Sequence, residues 1–370
     1  MGYGTVTLVV GVPVSLSGQF QAQGRQALAG LQAWVRDANS VAAGAFKLVH
    51  HDDASDVSTV RAVTRCLILQ DRVDILIGPY SGALTSAAAE VSEGFGKLLW
   101  NQGGASDAVY QQGYRWVVGV LTPANRYLAG LLPMVLEAGL TVKTVALARA
   151  ATGEFPRAVC SGVEEAAKGL GITVSSAIEF PATTGDFIQV IQELKAGEPD
   201  VVVAVGRVGN DIQFAKQLAG SDSKAKAVAV VAAGIQDFRD RLGESADGYL
   251  GPSQWEPGVW STPDYGPTGE EVMSSLQSSG HQHVDYPMAQ AYAAGLVVQR
   301  CLEETDSAES GALREAAGRL SFTTFYGGFE IDGSGRQVGR ETLLVQWQEG
   351  HKVVVWPPGS ARRALVHPWR

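Results

Sequence analysis

Residues 46–100 read FKLVHHDDASDVSTVRAVTRCLILQDRVDILIGPYSGALTSAAAEVSEGFGKLLW, and this stretch decides the fold. Three short runs in it are apolar and strand-like: Phe46-Lys47-Leu48-Val49-His50, Ile75-Leu76-Ile77 and Leu98-Leu99-Trp100. Amphipathic helical segments lie between them, through Val60–Leu69 and from Ser81 onward. Strands buried on both faces lose the usual apolar–polar alternation, and successive parallel strands need a crossover helix. The stretch therefore predicts a parallel sheet covered on both faces. Asp52-Asp53 stand at the strand end, where carboxylates are expected to cap the next helix.

The same alternation extends in both directions. Val6–Val12 forms an earlier apolar run, followed by a Gly/Ser/Gln turn and a helix carrying Ala27, Leu28, Leu31, Trp34 and Val35. A second series starts after Pro123, with strands at Val145–Leu147, Thr173–Ile178, Val201–Val205 and Ala227–Val231. Its helices are predicted near Asn125–Glu137, Phe155–Lys168, Asp186–Lys195 and Asn210–Leu218. A third portion runs from Tyr249-Leu250-Gly251-Pro252 through a Trp/Pro-rich stretch to two helices, near Glu270–Gln277 and Pro287–Glu304. It ends in a hairpin of Leu343–Trp347 and Lys352–Trp356. A single core stops growing efficiently at roughly 250–300 residues, so 370 residues predict two domains.

Composition narrows the function. The net charge of -9 lacks the dense basic face that nucleic acid demands. Hydrophobic residues at 45% and charged residues at 18% exclude a disordered chain. No run of 18 apolar residues exists to span a membrane. No export signal is visible ahead of the first strand, which fits either a native cytosolic chain or a mature exported one. Cys66, Cys160 and Cys301 sit in helical apolar stretches and read as small buried hydrophobes without metal-ligand spacing.

Catalytic and phosphate-binding signatures are absent: there is no G-x-G-x-x-G after a strand, no Walker A, no G-x-S-x-G and no H-E-x-x-H. His50-His51-Asp52-Asp53 is not expected to hold a metal, because neighbouring strand residues point to opposite faces. The aromatics are more informative. Phe20, Tyr80, Phe155, Trp255 and Trp260 fall in predicted loops or at element ends, and the carboxyl ends of parallel strands are where open sheets bind ligands. Gln102-Gly103-Gly104 follows a strand and could offer backbone N–H groups to an anion.

Ordered along the chain, Gly11-Val12-Pro13-Val14-Ser15-Leu16-Ser17-Gly18 with Gly24, Asp52–Asp56, Ile77-Gly78-Pro79-Tyr80-Ser81-Gly82 and the terminal hairpin with Val355-Trp356-Pro357-Pro358 resemble one family. It is the type I periplasmic solute-binding proteins, specifically the branched-chain amino-acid-binding (leucine/isoleucine/valine) members of ABC importers. The resemblance implies two doubly wound parallel-sheet domains joined by three crossovers, near Leu121–Pro123, Gly251–Ser253 and Phe325–Gly328. One lobe would take residues 1–121 and 252–326, the other 122–251 and 327–370. Ligand would sit in a cleft closed by hinge motion.

The resemblance assigns ligand contacts to Gln19 and Phe20, to the Tyr80-Ser81-Gly82 loop, to Asn101, Gln102, Gly103, Gly104 and Ala105, and to Phe155, Arg207, Ile235 and Trp255. Family members that bind amino acids place a carboxylate near the Ala232–Ile235 loop, which has none here, although Asp237 is close. Arg207 adds a cation suited to bidentate pairing with a carboxylate. The expected ligand is a carboxylate with an aromatic or branched apolar body, or an amino acid. The resemblance further implies a non-enzymatic monomer without cofactor or metal, with ABC permease subunits as partners. It would be periplasmic or extracellular through a lipoprotein signal, or cytosolic if the native chain starts at Met1. A cytosolic amide-responsive sensor on the same fold and a hydrolase with a long-range triad are the competing readings.

Overall fold

A computed structural model describes residues 7–42, 45–259, 262–281 and 283–369; Trp260 lies outside them. Two compact units emerge. The first comprises Met1–Pro123 and Pro257–Arg340, the second Ala124–Glu256 and Glu341–Arg370.

The first unit opens with β1 (Leu8–Val14), α1 (Gln21–Val41), β2 (Phe46–Asp52), α2 (Val57–Leu69), β3 (Ile75–Ile77), α3 (Gly82–Phe95), β4 (Leu99–Asn101) and β5 (Val117–Gly119). The strands form a parallel sheet in the order β2-β1-β3-β4-β5. Ile75, Leu76 and Ile77 are fully buried, as a strand with helices on both faces requires. Asp56 caps α2, its carboxylate accepting the Thr59 N–H at 2.8 Å. Asp52 and Asp53, expected as the cap, instead organise the loop ahead of it.

The second unit begins with α4 (Leu131–Glu137), β6 (Thr144–Ala150), α5 (Glu154–Leu170), β7 (Thr173–Phe180), α6 (Ile188–Ala196), β8 (Val201–Val205), α7 (Val208–Ala219), β9 (Ala227–Val230), α8 (Gln236–Leu242) and β10 (Leu250–Ser253). The helix predicted over 125–137 is interrupted: a short 3-10 turn at Ala124–Arg126 precedes α4. At the break, a Cβ on Gly130 would lie 2.5 Å from Trp356 Nε1, so the indole rests directly on backbone.

The chain then returns to the first unit as α9 (Gly269–Ser278), α10 (Tyr286–Thr305), α11 (Ser310–Arg319), β11 (Phe322–Thr324) and β12 (Gly327–Phe329). It finishes in the second as β13 (Leu343–Gln348) and β14 (His351–Trp356). α10 lies along α1 at close range. A Cβ on Gly295 would sit 2.1 Å from the Trp34 ring, and one on Gly30 2.1 Å from the Met288 carbonyl. Bare backbone at these two positions is what lets the helices meet.

The second sheet runs β14-β13-β10-β9-β8-β6-β7. Its β7 to β10 portion is parallel, and the terminal hairpin joins it antiparallel through β10. The second and third passages between units therefore fall after Glu256 and Arg340, later than 251–253 and 325–328. Leu250–Ser253 is an interior strand of the second sheet, paired with β9 and β13. The β11–β12 hairpin, the Ile331–Gln337 bridge and a Gln337 amide bond to the Val120 carbonyl hold residues 322–340 in the first unit. All three cysteines are free thiols.

Candidate functional site

In each parallel sheet the strand order reverses once. The reversal lies between β1 and β3 in the first unit and between β6 and β8 in the second. Loops at the carboxyl ends of such strand pairs diverge to opposite faces and leave a crevice, the usual ligand position in open α/β sheets. The loops concerned are 15–20 and 78–82 in the first unit, and 151–153 and 206–207 in the second.

The loop after β1 is built by aspartates. Asp52 Oδ1 accepts the N–H groups of Leu16 (2.8 Å) and Ala54 (2.9 Å), and its other oxygen accepts the Ser17 hydroxyl at 2.7 Å. Burial pushes the Asp52 carboxyl up, but these donors bring it below its ordinary value. Asp53 is fully buried, accepting the Ser15 hydroxyl at 2.6 Å and the Ser55 N–H at 2.8 Å; burial pushes its carboxyl up. The loop thus fixed exposes Gln19 and holds Phe20, whose N–H donates to Ser55 Oγ and whose ring lies 5.9 Å from that of Tyr80.

Tyr80 bridges to Gly103, and the Ser81 N–H donates to the Gly103 carbonyl at 3.0 Å. A side chain at 103 could not fit: its Cβ would lie 2.5 Å from the Pro79 carbonyl oxygen. Ser81 adopts φ 82°, ψ 147° at the head of α3. That region is nearly exclusive to glycine and costs about 1–3 kcal/mol for a residue with a Cβ. Such strain persists where the surroundings over-determine it. Gly82 follows with its backbone against Ser106.

The second loop of this unit differs from the sequence expectation. Asn101 is fully buried and turned inward. Its Oδ1 accepts the N–H groups of Gly103 (3.2 Å) and Gly104 (2.7 Å), while its amide donates to the Gly104 carbonyl and the Tyr110 hydroxyl. Two of the N–H groups expected to face an anion are thus already taken, and Asn101 shapes the loop. Gln102 donates to the Gly78 carbonyl, and its buried Oε1 has no hydrogen-bond partner among the described residues. Ala105 is buried beside it.

A polar chain that the sequence did not reveal backs these loops. The hydroxyls of Tyr80 and Tyr286 are 3.0 Å apart. The Gln290 amide donates to the Gln102 carbonyl, and its Oε1 accepts the Tyr326 hydroxyl at 2.7 Å. The Arg340 guanidinium stacks 3.8 Å from the Tyr326 ring centroid. Local spacing offers no signal for this chain, because its members come from α10, the β11–β12 turn and the last residue of the unit.

In the second unit, Phe155 lies in the first turn of α5, half-buried, with its ring edge-on to Tyr127 at 5.3 Å. Arg207 stands between β8 and α7, exposed and in no ion pair among the described residues. Its N–H donates to Asn210 Oδ1 at 3.0 Å. Asp211, 2% exposed, ties two loops together by accepting the N–H of Gly206 at 2.7 Å and of Ala232 at 2.9 Å. Burial raises its carboxyl to about 7 against the pull of those donors. Ile235 is half-buried at the end of the second loop. Lys352, also missed by sequence, donates to the Gly234 carbonyl at 3.1 Å and pairs with Glu256 at 2.8 Å. Trp255 is 1% exposed.

The strand-end residues therefore fall into two groups of three: Phe20, Tyr80 and Ser81 in one unit, and Phe155, Arg207 and Ile235 in the other. Their aromatic faces, hydroxyls and one guanidinium are groups able to contact a small molecule.

Comparison with known proteins agrees. Residues 7–352 match the family described as periplasmic binding protein. The Leu/Ile/Val-binding protein homolog 8 of Brucella abortus is 24% identical over 370 residues, covering 94% of this chain and 89% of that protein. The substrate-binding protein LivJ of Streptococcus pneumoniae, solved with isoleucine, superimposes with a TM-score of 0.81 at 17% identity over 95% of this chain and 100% of its own. An ABC transporter solute-binding protein of R. palustris, solved with benzoate, gives 0.80 at 18% identity over 97% and 98%. Sequence match over nearly the whole chain and the shared two-unit α/β architecture lead to one conclusion: the chain belongs to the periplasmic binding protein family, with the type I fold.

Proposed function

We propose that the protein is the extracytoplasmic solute-binding component of an ABC importer, and that its ligand is a small carboxylate with an aromatic or branched apolar body. The observation that carries this reading is Arg207, an exposed guanidinium without an ion pair among the described residues, standing at a strand-order reversal. A guanidinium fits a carboxylate in a two-bond fork. It also sits at the amino end of α7, where the helix dipole favours an anion. Phe155 and Ile235 supply apolar surface in the same unit, and Phe20, Tyr80 and Ser81 are the strand-end candidates of the first unit. Two of the structural neighbours were solved with isoleucine and with benzoate, which share a carboxylate and an apolar body. The relatives are named as binding proteins, not enzymes. ABC permease subunits are the proposed partners, and closure about the three crossovers the proposed response to ligand.

Titration of Arg207→Ala tests the anchor. A hydrogen bond to a charged group contributes about 1.5–3 kcal/mol, so the affinity for a carboxylate should fall by about 10–150-fold. Unchanged affinity would remove Arg207 from the site.

A further inference from the structure

His51, Cys66 and Asp71 come together away from the strand-end loops. His51 belongs to β2, the edge strand of the first sheet; Cys66 lies in the last turn of α2, and Asp71 in the turn after it. His51 Nε2 is 2.8 Å from Asp71 Oδ2, and Cys66 Sγ is 3.8 Å from the same oxygen. One donor atom from each residue lies within 4.8 Å of the other two. We propose that these three side chains form a binding site for a borderline-soft divalent cation of the zinc class, independent of the solute site.

The donor set selects the metal. A thiolate, an imidazole and a carboxylate suit zinc far better than magnesium or calcium, which take oxygen. Zinc holds sulfur at about 2.3 Å and nitrogen or oxygen at about 2.0–2.2 Å in a tetrahedron. Tetrahedral binding draws the three donor atoms around one point from the observed positions. The His51–Asp71 contact opens by at least about half an ångström, and the sulfur moves inward. Gln70 Oε1, 3.2 Å from Cys66 Sγ, or a water supplies the fourth position. The α2 carboxyl end presents its negative dipole here, and no basic residue lies in its last turn. Of the arginines lining the same hollow, Arg61 pairs with Glu90 and Arg65 lies over the Phe95 ring.

Access is open: Cys66 and Gln70 line a surface hollow of about 470 Å³. On binding, the Cys66 S–H proton passes to solvent, His51 coordinates as neutral imidazole and Asp71 as carboxylate, so affinity rises with pH. Burial and the Asp71 charge raise the Cys66 thiol, so the metal-free cysteine is a thiol at neutral pH. The local sequence pattern could not reveal this site. His50 and His51 are neighbours on a strand, where side chains alternate between faces, and the partners of His51 come from α2 and the turn after it.

The test uses the untagged, reduced and chelator-treated full chain. Competition with a chromophoric chelator should show one equivalent of zinc bound. Cobalt should give a thiolate-to-metal charge-transfer band. Cys66→Ser should abolish the band, and both Cys66→Ser and His51→Ala should weaken zinc by about tenfold or more. A second readout needs no variant. Cys160 and Cys301 are buried, their thiols pushed up to about 12, so an aromatic disulfide reagent should label Cys66 first. Zinc should slow that labelling, and chelator should restore it. Cobalt binding without a thiolate band, or labelling of wild type indifferent to zinc, would overturn the proposal.

Discussion

Ser81 sits at φ 82°, ψ 147°, in a backbone region where its Cβ is strained, and its hydroxyl accepts the Leu84 N–H at 3.4 Å at the head of α3, in the loop proposed to hold ligand. Two substitutions separate these roles. Ser81→Gly relieves strain that costs about 1–3 kcal/mol and, as a helix cap, loses only a few tenths. Denaturant titration should therefore show it about 1 kcal/mol more stable than wild type, while calorimetry shows weaker ligand binding. Ser81→Ala should weaken binding without that gain in stability. If Ser81→Gly binds ligand as wild type does, the hydroxyl is not a contact. At this scale the sequence was partly readable. Loop position drew attention to Phe20, Tyr80, Ser81 and Arg207, because strand ends follow from hydrophobic pattern. The inward turn of Asn101 was not readable, since it depends on Tyr110 and Gly104 lying in range. Nor was the chain of Tyr286, Gln290 and Tyr326, whose partners are distant in sequence.

Between elements, Asp211 couples the loop after β8 to the loop after β9. Burial raises its carboxyl to about 7 in the folded chain from 3.8 in the reference state. The folded state therefore holds this proton more tightly than the unfolded state does. Asp211's contribution to stability is fully present below about pH 4 and declines as pH rises towards 7. The wild-type minus Asp211→Asn difference in unfolding free energy should fall across that window and level off above it. A flat difference would mean that the carboxylate is fully satisfied by its backbone N–H donors. The α1–α10 contact makes a second expectation at this scale. Gly295→Ala forces a methyl into the Trp34 ring and should cost about 1–3 kcal/mol. Amide exchange should report the loss in the first unit's helices and leave the β6–β9 amides unchanged. Strand and helix order was legible from the alternation of apolar runs. β10 was not, because Gly251 and Pro252 look like a linker until β9 and β13 flank them.

For the whole molecule, the family match over residues 7–352 runs through both α/β units. The fold was legible because one core cannot serve 370 residues and the βα series restarts after Pro123. The passages after Glu256 and Arg340 escaped the pattern, because pairing across the second sheet and the β11–β12 hairpin set them. Ligand identity was also illegible, since a methyl or hydroxyl is read by pocket shape and not by loop membership. A ligand that binds only the folded state adds about 2.7 kcal/mol at a hundredfold excess over Kd. A thermal-shift screen of carboxylates should therefore give a clear rise for the right class. The most direct measurement is calorimetric titration of the wild-type protein with benzoate, 4-hydroxybenzoate and isoleucine, each beside its amide. A carboxylate anchored by Arg207 predicts one-to-one binding of at least one acid, with its amide about tenfold weaker or worse; an amide binding as tightly as its acid would contradict it.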